Sequence, residues 1–270
     1  MPLASVEGSE LYYELHGRDR PGTPLLLLTG IGGSCRGWLV LQVPAFAAAR
    51  PTLILDYPGI GESEGDDGPI DTAALARTVV GLLDALGLRR VSALGSFLGG
   101  MVAQQLALDH AEKLERLVLV GTWARADAKR RLLLTQWRAL AEARVPLEVM
   151  VRDRLLWTAR DATLEQTDLI ESMVTELRRD GPPLDADTFA RQCEACLAHD
   201  TLDRLPAIDL PTLVACGRDD ALTPPAFHRQ LADEIPDARL VSFAHAAHLL
   251  MAESAEAFNR TVLDFLDDGD

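Results

Sequence analysis

Six short, almost continuously apolar segments constrain the fold of this chain most strongly. They occupy residues 24–30, 51–57, 90–95, 115–121, 211–217 and 238–244, and longer segments with helical spacing separate most of them. Continuous apolar strands of this length are typical of a parallel sheet that is buried on both faces. The alternation of strands and helices therefore predicts an α/β fold with a doubly wound, mostly parallel sheet of about eight strands.

Two local patterns add detail to this fold. Residues 6–17 alternate in polarity and predict an antiparallel hairpin that leads into the sheet. Residues 71–87 predict an amphipathic helix that begins at the N-cap Asp71 and ends before Gly87. Its apolar stripe is formed by Leu75, Val79, Leu82 and Leu86.

The alternation stops between about residues 122 and 205, where the sequence is charged, helical in spacing and without a clear strand. It resumes at Pro211. An interruption of this kind, after the fifth or sixth strand, predicts a helical lid inserted into the sheet domain. The predicted organisation is an α/β core of residues 1–121 and 206–270 with a helical cap of residues 122–205.

The net charge of the chain limits the classes of molecule that it is expected to bind. A net charge of −15 repels nucleic acid and anionic membranes. The apolar run at residues 24–28 is too short to span a bilayer, and the first ten residues lack the basic and apolar regions of a signal peptide. We expect a cytoplasmic protein whose partner is a small-molecule substrate, with neither nucleic acid nor membrane bound; a homo-oligomer stays open.

Cofactor motifs are weak in this sequence. Four cysteines are too few for a disulfide framework, and Cys193 and Cys196 lie in a helical pattern that favours two buried residues on one helix face. The glycines of residues 29–37 lack the spacing of a dinucleotide-binding turn. No cluster has the spacing of metal ligands, so we expect neither a cofactor nor a metal.

The segment Gly95-Ser96-Phe97-Leu98-Gly99 follows a predicted strand and opens a predicted helix. A strand-to-helix turn this tight needs small residues two positions to either side of its tip. Gly95 and Gly99 meet that requirement only when the tip is Phe97. Counted from Ser96, the flanking positions hold leucines, so Ser96 is displaced from the tip and is a weak candidate nucleophile.

Four loops in chain order resemble those of the α/β-hydrolase fold family, which includes esterases and enol-lactonase-like members with a helical lid. The turn at Phe97 resembles the G-x-S-x-G nucleophile motif, with phenylalanine at the nucleophile position. Residues 25–38 resemble the oxyanion loop, with Thr29 where the family has histidine, and residues 55–65 resemble a further glycine-rich loop. Residues 216–225 and 243–259 resemble the loops of the catalytic acid and the catalytic histidine.

The resemblance implies Asp220 as the catalytic acid and His248 as the catalytic base. The neighbouring Asp219 is the fallback acid, and the nearby His245 is not placed like the family's base. The backbone N–H groups of Ile31 and Leu98 are the expected oxyanion donors, because Leu98 opens a helix whose N-terminus favours negative charge. The lid-side residues Trp123 and Trp157 are expected to form pocket wall or lid core.

A phenylalanine tip cannot form an acyl-enzyme. We expect its ring to enter the pocket, and the Asp220–His248 pair to act as a general base on a small, largely apolar carbonyl, ester or lactone substrate. Hydrolysis, or lyase, isomerase, cyclase or cofactor-free oxygenase chemistry, would follow. Two alternatives stay open: a serine-type hydrolase whose natural nucleophile was replaced at position 97, and a catalytically idle binding protein. A pairing of Cys35 with His248 is a minor further option.

Overall fold

An eight-stranded, mostly parallel sheet forms the centre of the molecule, as the sequence predicts. The computed structural model describes residues 2–6, 8–65, 70–179 and 185–268. The strand order is β1-β2-β4-β3-β5-β6-β7-β8; β2 is antiparallel to β1 and β4, and all other neighbours are parallel. The strands are β1 (Leu3–Val6), β2 (Ser9–His16), β3 (Leu25–Leu28), β4 (Thr52–Leu55), β5 (Val91–Ser96), β6 (Leu114–Val120), β7 (Thr212–Gly217) and β8 (Ala238–Phe243).

Helices cover both faces of the sheet and form the segment between β6 and β7. They are α1 (Val43–Ala47), α2 (Thr72–Ala85), α3 (Leu98–Asp109), α4 (Ala128–Glu142), α5 (Leu147–Thr158), α6 (Asp161–Leu164), α7 (Thr167–Arg179), α8 (Ala186–Ala198), α9 (Pro225–Glu234), α10 (Leu250–Glu253) and α11 (Ala255–Asp267). Short 3-10 helices occupy Cys35–Trp38, Ala111–Lys113 and Leu202–Ala207. Among the described residues, no helix is long and apolar enough to cross a bilayer.

Strand β3 shows why the central strands are continuously apolar. Leu26 and Leu28 pack into the core on one face of the sheet, and Leu25 and Leu27 pack into the core on the other. All four side chains are fully buried. Because successive strand residues point to opposite faces, a strand covered by helices on both sides needs apolar residues at every position.

Helix α2 follows the predicted pattern closely. The Asp71 carboxylate accepts a hydrogen bond from the Ala74 N–H at 2.6 Å and caps the helix N-terminus. Leu75, Val79 and Leu82 are buried against the sheet, and Gly87 follows the helix end with φ of 69°. A glycine is favoured there because other residues resist positive φ.

Five helices, α4 to α8, lie between β6 and β7 within the predicted cap of residues 122–205; residues 180–184 of that cap lie outside the described residues. Helices α4 and α8 pack against each other. Cys193 and Cys196 are both fully buried on α8 and unpaired. Burial raises the pKa of Cys193 to about 12, so its thiol is a packing group rather than a nucleophile.

Candidate active site

The turn between β5 and α3 is a sharp elbow with Phe97 at its tip. Phe97 has φ of 50° and ψ of −108°, a backbone conformation that residues other than glycine rarely adopt. A Cβ added to Gly95 would stand 2.1 Å from the Gly99 carbonyl oxygen, and one added to Gly99 would stand 2.2 Å from the Leu28 carbonyl oxygen. Both positions therefore require glycine, because strand and helix approach each other there.

Neighbouring elements hold the strained backbone of Phe97 in place. Its N–H donates to the Val120 carbonyl at 3.0 Å, and the Thr122 hydroxyl donates to its carbonyl at 2.8 Å. The Phe97 ring is 2% exposed and lines a cavity. It meets the rings of Trp123 and His248 edge to face, with centroids 5.0 and 5.5 Å away. The position that a nucleophile would occupy is thus filled by hydrocarbon.

Asp220 and His248 form a buried pair at the ends of β7 and β8. His248 Nδ1 lies 2.9 Å from Asp220 Oδ2. Thr223 donates to both carboxylate oxygens, from its N–H at 2.7 Å and from its hydroxyl at 2.6 Å. Burial acts to raise the pKa of Asp220, but the adjacent imidazole and these hydrogen bonds outweigh it, and the net pKa is lowered. The Asp220 carboxylate is therefore ionised, and it accepts a hydrogen bond from the Nδ1–H group of His248.

The Thr223 hydroxyl also lies 3.1 Å from His248 Nδ1, so one hydroxyl is within bonding reach of the imidazole. Thr223 is fully buried, and its hydroxyl is committed to Asp220 on the acid side of the ring. It orients the pair and has no access to a substrate. The interval of three residues between Asp220 and Thr223 is a local signal, typical of a side chain that caps its own turn.

The loop of His248 is held by contacts that sequence reasoning did not find. The Ala247 N–H donates to the Glu253 carboxylate at 2.6 Å, and the same side chain accepts from Arg160 N–H at 2.9 Å in the lid. A Cβ on Gly121 would stand 2.9 Å from Cε1 of His248, so this glycine admits the imidazole. Glu253 carries no recognisable motif, because it joins the nearby Ala247 to Arg160, which is 93 positions away in the chain.

The expected oxyanion donors lie on two different elements. Leu98 is the first residue of α3, so its N–H has no acceptor within the helix. Ile31 follows β3 in a loop that the lid holds: Gly32 N–H donates to the Gln192 side chain at 2.7 Å, and Arg154 donates to the Ile31 carbonyl at 2.8 Å. Ile31 and Phe97 both line the cavity, which places the loop and the elbow around one space.

This cavity has a volume of about 400 Å³ and is mostly apolar, as small-molecule sites usually are. His248 lines it, and so does Ser96. The larger apolar lining side chains are Ile31, Trp38, Leu41, Phe97, Trp137, Val151, Leu155, Met173, Leu222, Leu249 and Met251.

Trp123 and Trp157, which were expected to form pocket wall or lid core, are not among the described residues that line the cavity. Trp123 is fully buried behind the Phe97 ring, between it and Phe227. Trp157 packs against the core next to Lys129, whose ammonium lies 5.1 Å from the ring centroid. The lid tryptophan at the cavity is Trp137, since the spacing of a helix does not reveal which neighbour it faces.

Among the described residues, the weaker candidates for catalytic residues form no side-chain hydrogen bond with Asp220 or His248. Ser96 lines the cavity, but no hydrogen bond between its hydroxyl and His248 occurs in the described part of the chain. Cys35 is fully buried, and burial and the nearby Asp56 raise its pKa far above the ordinary range. Asp219 and His245 are exposed. Among the described residues, no group of three or more His, Cys, Asp or Glu side chains could hold a metal.

A parallel sheet that presents an acid, a histidine and a lidded cavity at the carboxyl ends of its strands defines a hydrolase-like enzyme of the α/β class. The chain belongs to the α/β-hydrolase fold family, whose sequence model matches residues 23–255.

Named relatives agree with this assignment. The chain is 34% identical over 266 residues to a protein of Azorhizobium caulinodans named as a candidate carbamate hydrolase, RutD, and covers 98% of each chain. It is 31% identical over 259 residues to the protein of the same name in Stutzerimonas stutzeri, with 95% and 96% covered. The enol-lactonase from Burkholderia xenovorans superposes with a TM-score of 0.90 at 30% identity, over 99% of this chain and 100% of the other.

Proposed function

We propose that this protein acts on a small, largely apolar carbonyl, ester or lactone substrate through a general base, without a serine acyl-enzyme. The observation that carries the proposal is the pairing of a buried Asp220–His248 dyad with an elbow whose tip is Phe97. The dyad supplies a base that faces the cavity, and the tip supplies no atom that could form a covalent intermediate.

The hydrogen bonds support one protonation pattern of His248. Because Asp220 is ionised, Nδ1 carries the proton that it shares with the carboxylate. Nε2 of the neutral ring is then the basic atom, and the ring lines the cavity. A base held in this way takes a proton from water, a hydroxyl or an acidic carbon, which is worth about 10²- to 10⁴-fold in rate. Asp220 stabilises the resulting imidazolium.

The negative charge that develops on the substrate would be held by the N–H groups of Ile31 and Leu98. The dipole of α3 adds to this stabilisation, because Leu98 is its first residue. Phe97 narrows the space between these donors and His248 and fills it with an apolar surface. The same arrangement serves two reactions: attack by an activated water on a labile acyl group, and proton abstraction next to a carbonyl.

The names of the relatives widen the set of acyl groups to be tested, since a carbamate and an enol-lactone each contain a carbonyl next to a heteroatom. A panel of p-nitrophenyl esters, lactones and aryl carbamates, with carbon-acid exchange in D₂O followed by NMR, covers both reactions. We expect His248→Ala to abolish the activity found and Phe97→Ala to retain it, because the ring does no chemistry. The exposed His245→Ala is the matched control.

The alternatives give different results in the same experiments. Activity that survives His248→Ala contradicts the general-base mechanism. Labelling of the unchanged protein by a fluorophosphonate favours Ser96 as a nucleophile. A silent panel together with ligand-induced thermal shifts favours an idle binding protein.

A further inference from the structure

We infer that the cavity binds substrates that carry a carboxylate, and that Arg154 on lid helix α5 is the residue that recognises it. This deepens the proposed function, on which it rests for the reacting group, by naming the substrate class: a small carboxylic acid with a second carbonyl, ester or lactone group. Arg154 acts here as a specificity-determining residue rather than as part of the dyad.

The charge lining of the cavity is the first argument. Among the described residues that line it, Arg154 is the one side chain with a permanent charge, and none is aspartate, glutamate or lysine. The whole chain carries 41 acidic and 26 basic side chains, so a cavity that displays only a cation contrasts with the surface around it. A single guanidinium in a mostly apolar cavity is suited to an anionic group.

The contacts of Arg154 differ from those of three other arginines on the lid helices. Arg138, Arg144 and Arg152 each pair with carboxylates of the lid. Arg154 forms no ion pair with any carboxylate whose side chain the structure describes, and the adjacent Asp153 instead accepts a hydrogen bond from Trp137 Nε1 at 2.7 Å. Burial disfavours the charged form of Arg154 and lowers its pKa. No described carboxylate offsets the cost of burying this charge.

The guanidinium is held in place, and among the described residues its hydrogen bonds use one N–H group. Its Nη2 donates to the Ile31 carbonyl at 2.8 Å, which uses one of five N–H groups. Its central carbon lies 5.4 Å from the ring centroid of Phe189 and 5.9 Å from that of Trp137. Two aromatic rings therefore fix the planar group without consuming its hydrogen bonds, and the remaining N–H groups suit the paired oxygens of a carboxylate.

The position of Arg154 links this subsite to the expected reaction centre. The nitrogen and oxygen of one residue are at most about 4 Å apart, so Nη2, 2.8 Å from the Ile31 carbonyl oxygen, lies within about 7 Å of the Ile31 N–H. A molecule of a few carbons spans that distance. It could place a carboxylate on Arg154 and a carbonyl oxygen near the expected oxyanion donors at the same time.

Binding of a carboxylate and its neutral isostere to the full-length protein tests the inference without turnover. Isothermal titration with hexanoate and with hexanamide compares the two at equal size. We expect the unchanged protein to bind hexanoate at least tenfold more tightly. Arg154→Met should weaken hexanoate binding about 10- to 100-fold and leave hexanamide binding unchanged, because only charge-assisted hydrogen bonds are lost. Arg154→Lys should lose less, since it keeps the charge.

The matched control is Arg152→Met, which removes an exposed arginine of the same helix that pairs with Glu171. It should leave both affinities unchanged. Three results would overturn the inference: no hexanoate binding at millimolar concentration, equal affinity for the two probes, or an Arg154→Met variant that weakens both probes alike. The last result would assign Arg154 only to holding the Ile31 loop. Since no catalysis is measured, failure of the general-base mechanism would leave these outcomes unaffected.

Discussion

Replacing Phe97 with serine places a hydroxyl at the tip of the elbow. Phe97 and serine both carry a Cβ, so the strain of a positive φ at this position is the same in either protein. Phe97→Ala differs from Phe97→Ser only by the hydroxyl, which makes the two variants a matched pair. Any difference in chemistry between them reports on the hydroxyl alone.

The loss of stability can be worked out from the environment of the ring. Phe97 is 2% exposed and meets Trp123 and His248 edge to face. Removing a buried phenylalanine ring costs about 3–5 kcal/mol, and the lower end applies because one side faces a cavity that water can enter. At about 2–4 °C per kcal/mol for a chain of this size, both variants should melt about 6–12 °C lower.

The gain in the rate of ester hydrolysis should be large despite this loss of stability. Removing the serine of an established triad lowers the turnover number by about 10⁶-fold, so even a poorly aligned hydroxyl next to the dyad has a large effect. We expect Phe97→Ser to hydrolyse p-nitrophenyl acetate at least about 100-fold faster than Phe97→Ala, with a burst of one p-nitrophenolate per chain. Mass spectrometry should find the acetyl group on residue 97.

Equal rates in the two variants would refute the reasoning, because the elbow, the dyad and the oxyanion donors would then not converge on one point. The double variant Phe97→Ser with His248→Ala provides a second check. It should lose the burst, since the serine then lacks a base. Unchanged melting temperatures would show that the ring is not packed as described.

Two further predictions concern stability. Gly95→Ala should lower the free energy of unfolding, measured by urea denaturation, by about 3 kcal/mol or more, because its Cβ would stand 2.1 Å from a carbonyl oxygen. The control Gly37→Ala should leave stability unchanged, because nothing lies within 4 Å of its Cβ. Equal losses of stability in the two variants would exclude the steric argument. Burial lowers the pKa of His228 from 6.5 to about 4 in the folded protein. Between these two pH values the unfolded chain therefore binds more protons than the folded protein. About 3 kcal/mol of folding stability should be present above pH 6.5 and lost as the pH falls to 4. The slope of unfolding free energy against pH in that window should flatten in His228→Gln and persist in the exposed control His245→Gln; an unchanged slope in His228→Gln would contradict the assignment.

The sequence by itself determined the apolar character of the strands and the need for glycine at position 95, because both depend on residues close together in the chain. Strands buried on two faces are apolar at every position, and strand β3 shows this directly. A Cβ at Gly95 would clash with Gly99, four positions further along the chain, whereas a Cβ at Gly99 would clash with Leu28 on the neighbouring strand β3. The order of the acid and histidine loops after successive strands can also be read directly from the sequence.

Only the tertiary structure decided what surrounds the elbow. Gln192 reaches Gly32 across 160 positions, and Arg154 reaches Ile31 across 123. Helical spacing predicted a helical lid, but it did not indicate that Trp137 would reach the cavity while Trp157 would pack outside it. Periodicity records which side of a helix is buried, and the partner on that side is chosen by how distant segments pack.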